Sequence, residues 1–319
     1  MISINKHAMK LVRKLLEEAE AIGCKVIRLN NGTTVIDMGV EAPGSWQAAK
    51  YFTEINMAGL GTCNYVNFDL DDQLSLPAVE IFVDNPQLAC LCSQIAGWPL
   101  GSGDFAAIGS GPARALAAVK EDHCFELTSY RDNHSEAVLG VQAISLPDEA
   151  MADKIAAACN VKPENLYLLA HKSASLVASV QVSARIVEQT INKMIRKGFD
   201  LNQIFLARGY CVVAPVGTDE LDAMVKINDS LLYGGASEFW VSSTDEEIQR
   251  VLPQLVTQSA KDYGRLFLEL FVEANKDFYQ MDLDIHSPAK VQIFNMNTGR
   301  VFVAGELRKD LLKKSFFNL

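Results

Sequence analysis

Between residues 137 and 274, strand-like and helix-like stretches take turns along the chain, and this alternation constrains the fold more than any other feature of the sequence. Apolar, β-branched runs occur at 137–144, 165–170, 202–214 and 230–242. Helical periodicity occupies 147–159, 175–197, 219–228, 245–257 and 263–274. Strands that alternate with helices bury both sheet faces under helical layers, so the expected class is α/β. An amphipathic helix opens the chain, with Ala8, Met9, Val12, Leu15, Leu16, Ala19 and Ile22 at three- and four-residue steps before Gly23. Two hairpins stand near the termini. One turns at Asn30-Asn31-Gly32 and the other at Asn297-Thr298-Gly299. At 319 residues the chain has room for about two domains. The expected division joins the terminal hairpins in one discontinuous domain, 1–84 plus 285–319. Residues 85–284 form the other, which carries the glycine-rich loop and the long helix.

Charge and cysteine content narrow the function classes. Twenty-nine basic and 39 acidic side chains leave a net charge of −10, without a Lys/Arg cluster to offer a nucleic acid. No uncharged apolar run approaches the ~18 residues of a membrane span. Glu17, Glu18 and Glu20 fall where a signal peptide would be apolar. The seven cysteines are scattered without a CxxC framework, which suits reduced thiols in the cytoplasm. His7, His123, His134, His171 and His286 are too far apart to form a metal triad, so no metal is expected.

The densest glycine segment runs from Gly101 to Ala115 and includes Gly109-Ser110-Gly111-Pro112-Ala113-Arg114. Glycines let a backbone approach a ligand closely, and a helix starting at Pro112 would aim N–H groups at an anion. Arg114 adds a guanidinium suited to phosphate or carboxylate. A tight turn entering a helix explains the same residues equally well. Neither nucleotide fingerprint is present: there is no GxxxxGK[ST], and Gly109-x-Gly111 lacks its third glycine.

The helical stretch 175–197 carries a second signal. Beside its apolar seam runs a polar row, Gln181, Arg185, Glu188 and Asn192, at four-, three- and four-residue steps. Arg185 and Glu188 therefore share a face and can meet. A neighbouring guanidinium favours an ionised carboxylate while burial opposes it, and balancing the two is one way to prepare a base. An ordinary intrahelical ion pair, worth a few tenths of a kcal/mol, is the plainer reading. His171 stands at a strand end, and Asn228-Asp229 precedes Leu231-Leu232-Tyr233-Gly234-Gly235. Either feature suits a pocket edge or simple loop structure.

Taken in order, these segments resemble the methenyltetrahydromethanopterin cyclohydrolases. The resemblance rests on Asn31-Gly32-Thr33-Thr34-Val35-Ile36-Asp37, on Gly109-Ser110-Gly111-Pro112-Ala113-Arg114-Ala115-Leu116, and on Pro163-Glu164-Asn165-Leu166-Tyr167-Leu168-Leu169. It continues through Ser179-Val180-Gln181-Val182-Ser183-Ala184-Arg185-Ile186-Val187-Glu188, Asn228-Asp229-x-x-Leu232-Tyr233-Gly234-Gly235, Asp262-Tyr263-Gly264 and Asp277-Phe278-Tyr279. Thr298-Gly299 and Gly305-Glu306 close it. His286 and the stretch Arg208-Gly209-Tyr210-Cys211 depart from the family pattern. The resemblance implies a two-domain α/β subunit with an inter-domain cleft that holds the pterin. It also implies a homotrimer with no metal or redox cofactor, the tetrahydromethanopterin derivative being the substrate. The reaction implied is hydrolysis of the methenyl bridge to the 5-formyl derivative. Arg185 and Glu188 become the catalytic pair, while Ser110, Gly111, Arg114 and Gln181 are assigned to substrate or anion binding. Abundant cysteine and modest charge suit a mesophilic host that oxidises formaldehyde by methylotrophy, with methanogenesis the other setting. The rival readings are a phosphate- or nucleotide-binding transferase and a non-catalytic pterin carrier.

Overall fold

The computed structural model describes residues 2–101, 107–117, 124–277 and 280–318, which form a mixed α/β chain containing two six-stranded sheets. Two compact units emerge: Met1–Thr62 with Gln87–Gln181, and Cys63–Pro86 with Val182–Leu319. Each unit owns one sheet. The first unit opens with α1 (Ile4–Glu18), β1 (Lys25–Arg28), β2 (Thr34–Gly39) and α2 (Trp46–Asn56). The chain then supplies β3 (Gly61–Asp69) and β4 (Ser75–Val83) to the second sheet and returns through a π-helix, Gln87–Gln94. There follow β5 (Ala96–Pro99), β6 (Ala107–Ser110), α3 (Arg114–Ala117), α4 (Cys124–Thr128), β7 (Ala137–Ala143), α5 (Glu149–Cys159), β8 (Leu166–His171) and α6 (Leu176–Ser183). The second unit completes itself with α7 (Ile186–Arg196), β9 (Ile204–Val212), α8 (Glu220–Gly234), β10 (Gly235–Val241), α9 (Asp245–Val251) and α10 (Phe267–Glu273). Its last elements are β11 (Lys290–Asn295), β12 (Val301–Gly305) and α11 (Lys309–Phe317).

The first sheet has the order β1-β2-β8-β7-β6-β5, with β2, β8 and β7 parallel at its centre. All six residues of β2 are buried, as expected for a strand hydrogen-bonded on both sides and covered by helices. The second sheet has the order β12-β11-β10-β9-β4-β3. Along β10 the side chains alternate between fully and partly buried. One face carries Ser237, Phe239 and Val241; the other carries Glu238 and Trp240. Five helices begin at a side-chain cap. Ser3, Ser45, Asp148, Asp219 and Thr244 each accept a bond from a first-turn N–H, worth about 0.5–2 kcal/mol apiece.

Both terminal hairpins form with the expected partners, but they do not join one domain. The β1–β2 pair belongs to the first sheet and the β11–β12 pair to the second, so the division into 1–84 plus 285–319 against 85–284 gives way to the one above. The reason lies in strand partners distant in sequence. β2 pairs with β8, whereas β11 pairs with β10. The opening helix forms with Ile4, Ala8, Met9, Val12 and Leu15 buried, but it ends at Glu18, and Ala19 and Ile22 fall in the turn that leads to Gly23.

The helical stretch 175–197 is two helices rather than one. α6 stops at Ser183, and Arg185 takes φ −82° and ψ 1°, the bridge conformation of a tight turn, before α7 starts at Ile186. Ser183 turns its hydroxyl to the Val212 carbonyl of β9 at 2.9 Å. The break falls in a segment whose composition contains neither glycine nor proline.

Candidate active site

The position of α7 is set by the sheet beneath it. A Cβ on Gly209 of β9 would come within 2.6 Å of Ile186, and one on Gly235 of β10 within 2.3 Å. Bare backbone at both points lets Ile186, the first residue of α7, sit directly on the strands. Thr190 adds a hydroxyl contact to Ser237 of β10 at 2.9 Å. Near the far end, Lys193 is fully buried and donates to the Asp284 carbonyl at 2.8 Å, Ser287 Oγ at 2.5 Å and Ser259 Oγ at 3.3 Å. Burial lowers the ammonium to about 8, with Asp284 opposing that shift. The helix is fastened at both ends, so side chains on its polar row are held by a rigid element.

That row holds the chemistry. Arg185 occupies the N-cap position of α7 and Glu188 lies in its first turn, where the helix dipole favours a negative charge. Arg185 Nη1 stands 3.7 Å from Glu188 Oε2, and the two side chains are only 11% and 10% exposed. At that burial the pair attracts more strongly than an ion pair in open water. Asn192, one turn further on, donates from Nδ2 to Glu188 Oε1 at 3.1 Å. Each carboxylate oxygen thus has its own neighbour, an amide donor on one and a guanidinium near the other. Such a group can orient water and take up its proton. Gln181, the first member of the row, is buried on α6.

The glycine-rich segment forms a different environment. Ser110 ends β6 and is buried, its hydroxyl 3.5 Å from Asn56 Oδ1. Gly111 adopts φ +111°, and a Cβ there would lie 2.5 Å from Asn56 Oδ1, so any other residue is strained and must push the Asn56 amide aside. Arg114 is fully buried and donates to the carbonyls of Ser93 at 2.9 Å and Leu91 at 3.3 Å, beneath the ring of Phe125. Those carbonyls belong to the π-helix, whose ladder leaves acceptors that an arginine satisfies. The helix expected from Pro112 is a single turn, α3. Residues 102–106 of this segment, His123, and Phe278-Tyr279 of the Asp277 motif lie outside the described residues. Ser110, Gly111 and Arg114 thus come together in the first unit, whereas Arg185 and Glu188 come together in the second.

Other singled-out residues have structural surroundings. His171 is buried edge-on against Phe52, at 4.6 Å between ring centroids, with Nδ1 3.1 Å from the Lys172 carbonyl. Asp37 is buried and accepts four backbone N–H bonds, from Gly39, Val40, Glu41 and Ala42 at 2.8–3.1 Å, which shape the loop after β2. Asp229, buried on α8, accepts from Phe267 N–H at 2.8 Å and Ser315 Oγ at 2.6 Å, and burial pushes its carboxyl up to about 7. His286 is buried as well, and burial with the nearby Arg196 charge lowers it to about 4. Arg208 lies on the outer face of the second sheet between Glu80 and Glu238. Among the described residues, no three His, Cys, Asp or Glu side chains converge as a metal site would require, and no helix is long and apolar enough to cross a membrane.

Comparison with known proteins matches the sequence to one family over nearly the whole chain. The family model described as Cyclohydrolase (MCH) covers residues 3–316. The chain belongs to the MCH cyclohydrolase family. It is 40% identical over 319 residues to the methenyltetrahydromethanopterin cyclohydrolase of Methanothermobacter marburgensis, which covers 99% of each chain. It is 41% identical over 321 residues to the enzyme of the same name from Methanocaldococcus jannaschii, covering 99% of this chain and 98% of that one. A third such cyclohydrolase, from Methanococcus maripaludis, is 40% identical over 318 residues, with 99% of this chain and 98% of the other covered.

Within this cyclohydrolase chain, sequence reasoning missed three residues that hold the site in place. Asn56 braces Gly111. Gly209 and Gly235 make room for Ile186. The Gly234-Gly235 pair was visible as a motif, but only the structure gives Gly235 its use as a seat for α7. Asn192 was visible in the polar row, and its bond to Glu188 is what the structure adds.

Proposed function

We propose that this chain hydrolyses 5,10-methenyltetrahydromethanopterin to the 5-formyl derivative in one-carbon metabolism, with Glu188 as general base and Arg185 as its charge partner. The observation that carries this reading is the shielded Arg185–Glu188 pair on a fastened helix, in a chain that matches the family from end to end. The bridging carbon lies between two nitrogens in a cationic amidinium and is electrophilic without further activation. Water attacks it, the C–O bond forms, and the proton released passes to Glu188. The carbon–arylamine bond then breaks, the carbonyl forms, and the leaving nitrogen takes a proton. Cation and water become a neutral formyl product and one proton. Acid–base help of this kind contributes about 10²–10⁴-fold. A bare carboxylate would also stabilise the cationic ground state, and Arg185 offsets that by sharing its charge.

No cofactor enters these steps, because the substrate supplies its own electrophile. Binding of the pterin's anionic tail is assigned to Ser110, Gly111, Arg114 and Gln181. Arg114 bonds to Ser93 and Leu91, so its part is to shape the loop that Ser110 and Gly111 present. The readings as a nucleotide-binding transferase and as a passive carrier are set aside. The first lacks a phosphate-loop lysine, and the second leaves the paired carboxylate without a use.

The assembly we infer is a homotrimer. Its support is the outer face of the second sheet, where Phe82, Leu206, Val301 and Val303 are exposed beside the stacked Trp240 and Phe294 rings. A cytoplasmic setting is supported by seven buried cysteines, none in a disulfide. Methylotrophic formaldehyde oxidation is the metabolic context that composition suits.

The deciding experiment follows methenyl absorbance when the protein meets methenyltetrahydromethanopterin, with methenyltetrahydrofolate in parallel. Rapid loss is expected with the methanopterin form, and Glu188→Gln should slow it by about 10²–10⁴-fold while the protein stays folded. Unchanged turnover in the variant removes the acid–base role. No acceleration by the wild type removes the reaction.

A further inference from the structure

Lys193, in the second half of α7, is a charged side chain with no exposed surface. All three of its N–H donors are used, on the Asp284 carbonyl at 2.8 Å, Ser287 Oγ at 2.5 Å and Ser259 Oγ at 3.3 Å. The acceptors are themselves fixed. Ser287 Oγ donates to the same Asp284 carbonyl at 2.7 Å, and Thr257 Oγ1 bonds to the Ser287 and Pro288 carbonyls at 2.8 and 3.1 Å. One turn on, Lys197 Nζ reaches the Asp284 carboxylate at 2.8 Å, and Arg196 stands 3.7 Å from it.

Burying an ammonium costs free energy, and an apolar side chain of similar size in such a place is often neutral or stabilising. The lowering of Lys193 to about 8 by burial reflects the same cost. Stability therefore does not account for a charge here. Direction does. Ile191 and Met194 press the buried side of α7 onto its surroundings, but hydrophobic contact is non-directional, whereas hydrogen bonds fix angles. Lys193 also lies seven residues beyond Ile186, about 10.5 Å along the axis, and so gives the helix a second fixed point.

We propose that Lys193 is a positioning residue for the reaction: through its bonds to Asp284, Ser287 and Ser259 it sets the rotation of α7 about its axis, and with it the place of the Glu188 carboxylate. This rests on the reading of Glu188 as the base. Five residues separate the two, about 140° around the helix and about 7.5 Å along it, so Lys193 acts through the helix. A side chain ending about 6 Å from the helix axis moves about 1 Å for each 10° of rotation. A misplacement of that size costs up to about 10²-fold in rate.

The test compares Lys193→Met and Ser287→Ala with wild type and with Glu188→Gln. It follows methenyl absorbance over a pH series and thermal unfolding alongside. Methionine keeps an unbranched stem and removes the charge. In that variant Ser287 and Ser259 still donate to the Asp284 and Val256 carbonyls, so neither hydroxyl is stranded. Lys193→Met is expected to keep or raise Tm and to lower kcat about tenfold with KM nearly unchanged. Ser287→Ala removes one of the three acceptors and should lower kcat about two- to threefold. Should Lys193→Met not fold, Ser287→Ala decides: a lower kcat at wild-type Tm supports the proposal, and wild-type kcat overturns it. An acid limb of kcat/KM that moves upward by about one pH unit in Lys193→Met marks a direct effect of its charge on the base, and overturns positioning. Wild-type kcat in both variants, with Glu188→Gln inactive, overturns the proposal and leaves the base assignment standing. Losses of kcat that follow losses of Tm overturn it too, because they mark a packing role. An active Glu188→Gln removes the base assignment itself, and this proposal with it.

Discussion

Arg114 and Arg185 both stand where a turn enters a helix, and in sequence each looks able to hold an anion. The structure gives them opposite surroundings. Arg114 follows Gly111 in the first unit, is fully buried, and bonds to the Leu91 and Ser93 carbonyls under an aromatic ring. Arg185 caps α7 in the second unit, keeps a fraction of its surface, and faces a carboxylate that is itself anchored from the other side. Cationic charge near a helix start is thus a poor guide to function. The partners decide. An arginine directed at main-chain carbonyls holds a loop together, while one paired with a shielded, independently fixed carboxylate modulates that carboxylate.

The sharpest break of this comparison is to remove each guanidinium. Arg114→Ala loses a large buried side chain and its bonds to carbonyls, so unfolding should cost about 4–5 kcal/mol less than in the wild type. A thermal melt within a degree or two of wild type would show that Arg114 is not structural. Arg185→Ala should cost less than that, about 1–2 kcal/mol at neutral pH, because it removes one shielded ion pair and leaves the fold's core in place. It should also move the acid limb of kcat/KM upward by about one pH unit, the same interaction seen in the titration, since a nearby cation favours the ionised carboxylate. If the profile stays in place, Arg185 positions substrate and does not tune Glu188.

Asp229 sharpens the same point from the other sign of charge. It is a buried carboxyl raised to about 7, chiefly by desolvation, a property that commonly flags functional residues. Its bonds go to Phe267 N–H and Ser315 Oγ, which tie α8 to α10 and α11. With the folded value above the unfolded one, the native state holds a proton between about pH 4 and 7 that the unfolded chain has released. Stability therefore falls as pH rises through that window, at up to about 1.4 kcal/mol per unit, and is level above it. Asp229→Asn still accepts from Phe267 N–H through Oδ1, reverses the Ser315 contact so that Nδ2 donates to Oγ, and removes the titration. Denaturant melts should show the variant more stable than wild type at pH 8, with the difference shrinking toward pH 4. A difference independent of pH would mean that Asp229 is ionised throughout.

The same contrast explains how much could be read in advance. The hairpins, the strands of the region 137–242 and the helix at 149–159 follow from local periodicity and turn residues, because neighbouring residues decide them. The Arg185–Glu188 pair was legible for the same reason, being three residues apart on one helix. What escaped depends on distant partners. The break at Ala184-Arg185 leaves no mark in the local periodicity, and the carbonyls that Arg114 bonds come from a π-helix some twenty residues upstream. The hairpins entered different sheets because β8 and β10 chose between them. α2 is buried on several sides, with Ala48, Tyr51, Phe52, Thr53, Ile55 and Asn56 all enclosed, so it carries no single apolar stripe to find.

The smallest change tests whether the seat of α7 matters to the chemistry as well as to the fold. In Gly235→Ala the new methyl group would lie 2.3 Å from Ile186 Cδ1 and 2.7 Å from the Leu231 carbonyl oxygen. The side-chain tip can swing aside, but the carbonyl is main chain, so α7 or the end of α8 must give. Overpacking of this kind costs about 1–3 kcal/mol. Ile186 adjoins Arg185 and lies two residues before Glu188, so a shift at its Cα carries both charged groups with it. A displacement near 1 Å costs up to about 10²-fold in rate, more than the stability loss alone would explain. Ile186→Val deletes the methyl that clashes. If the glycine's use is to seat Ile186, Gly235→Ala combined with Ile186→Val should recover both the melt and much of kcat relative to Gly235→Ala alone. Losses that simply add would place the strain at the Leu231 carbonyl and free the catalytic turn from dependence on Gly235.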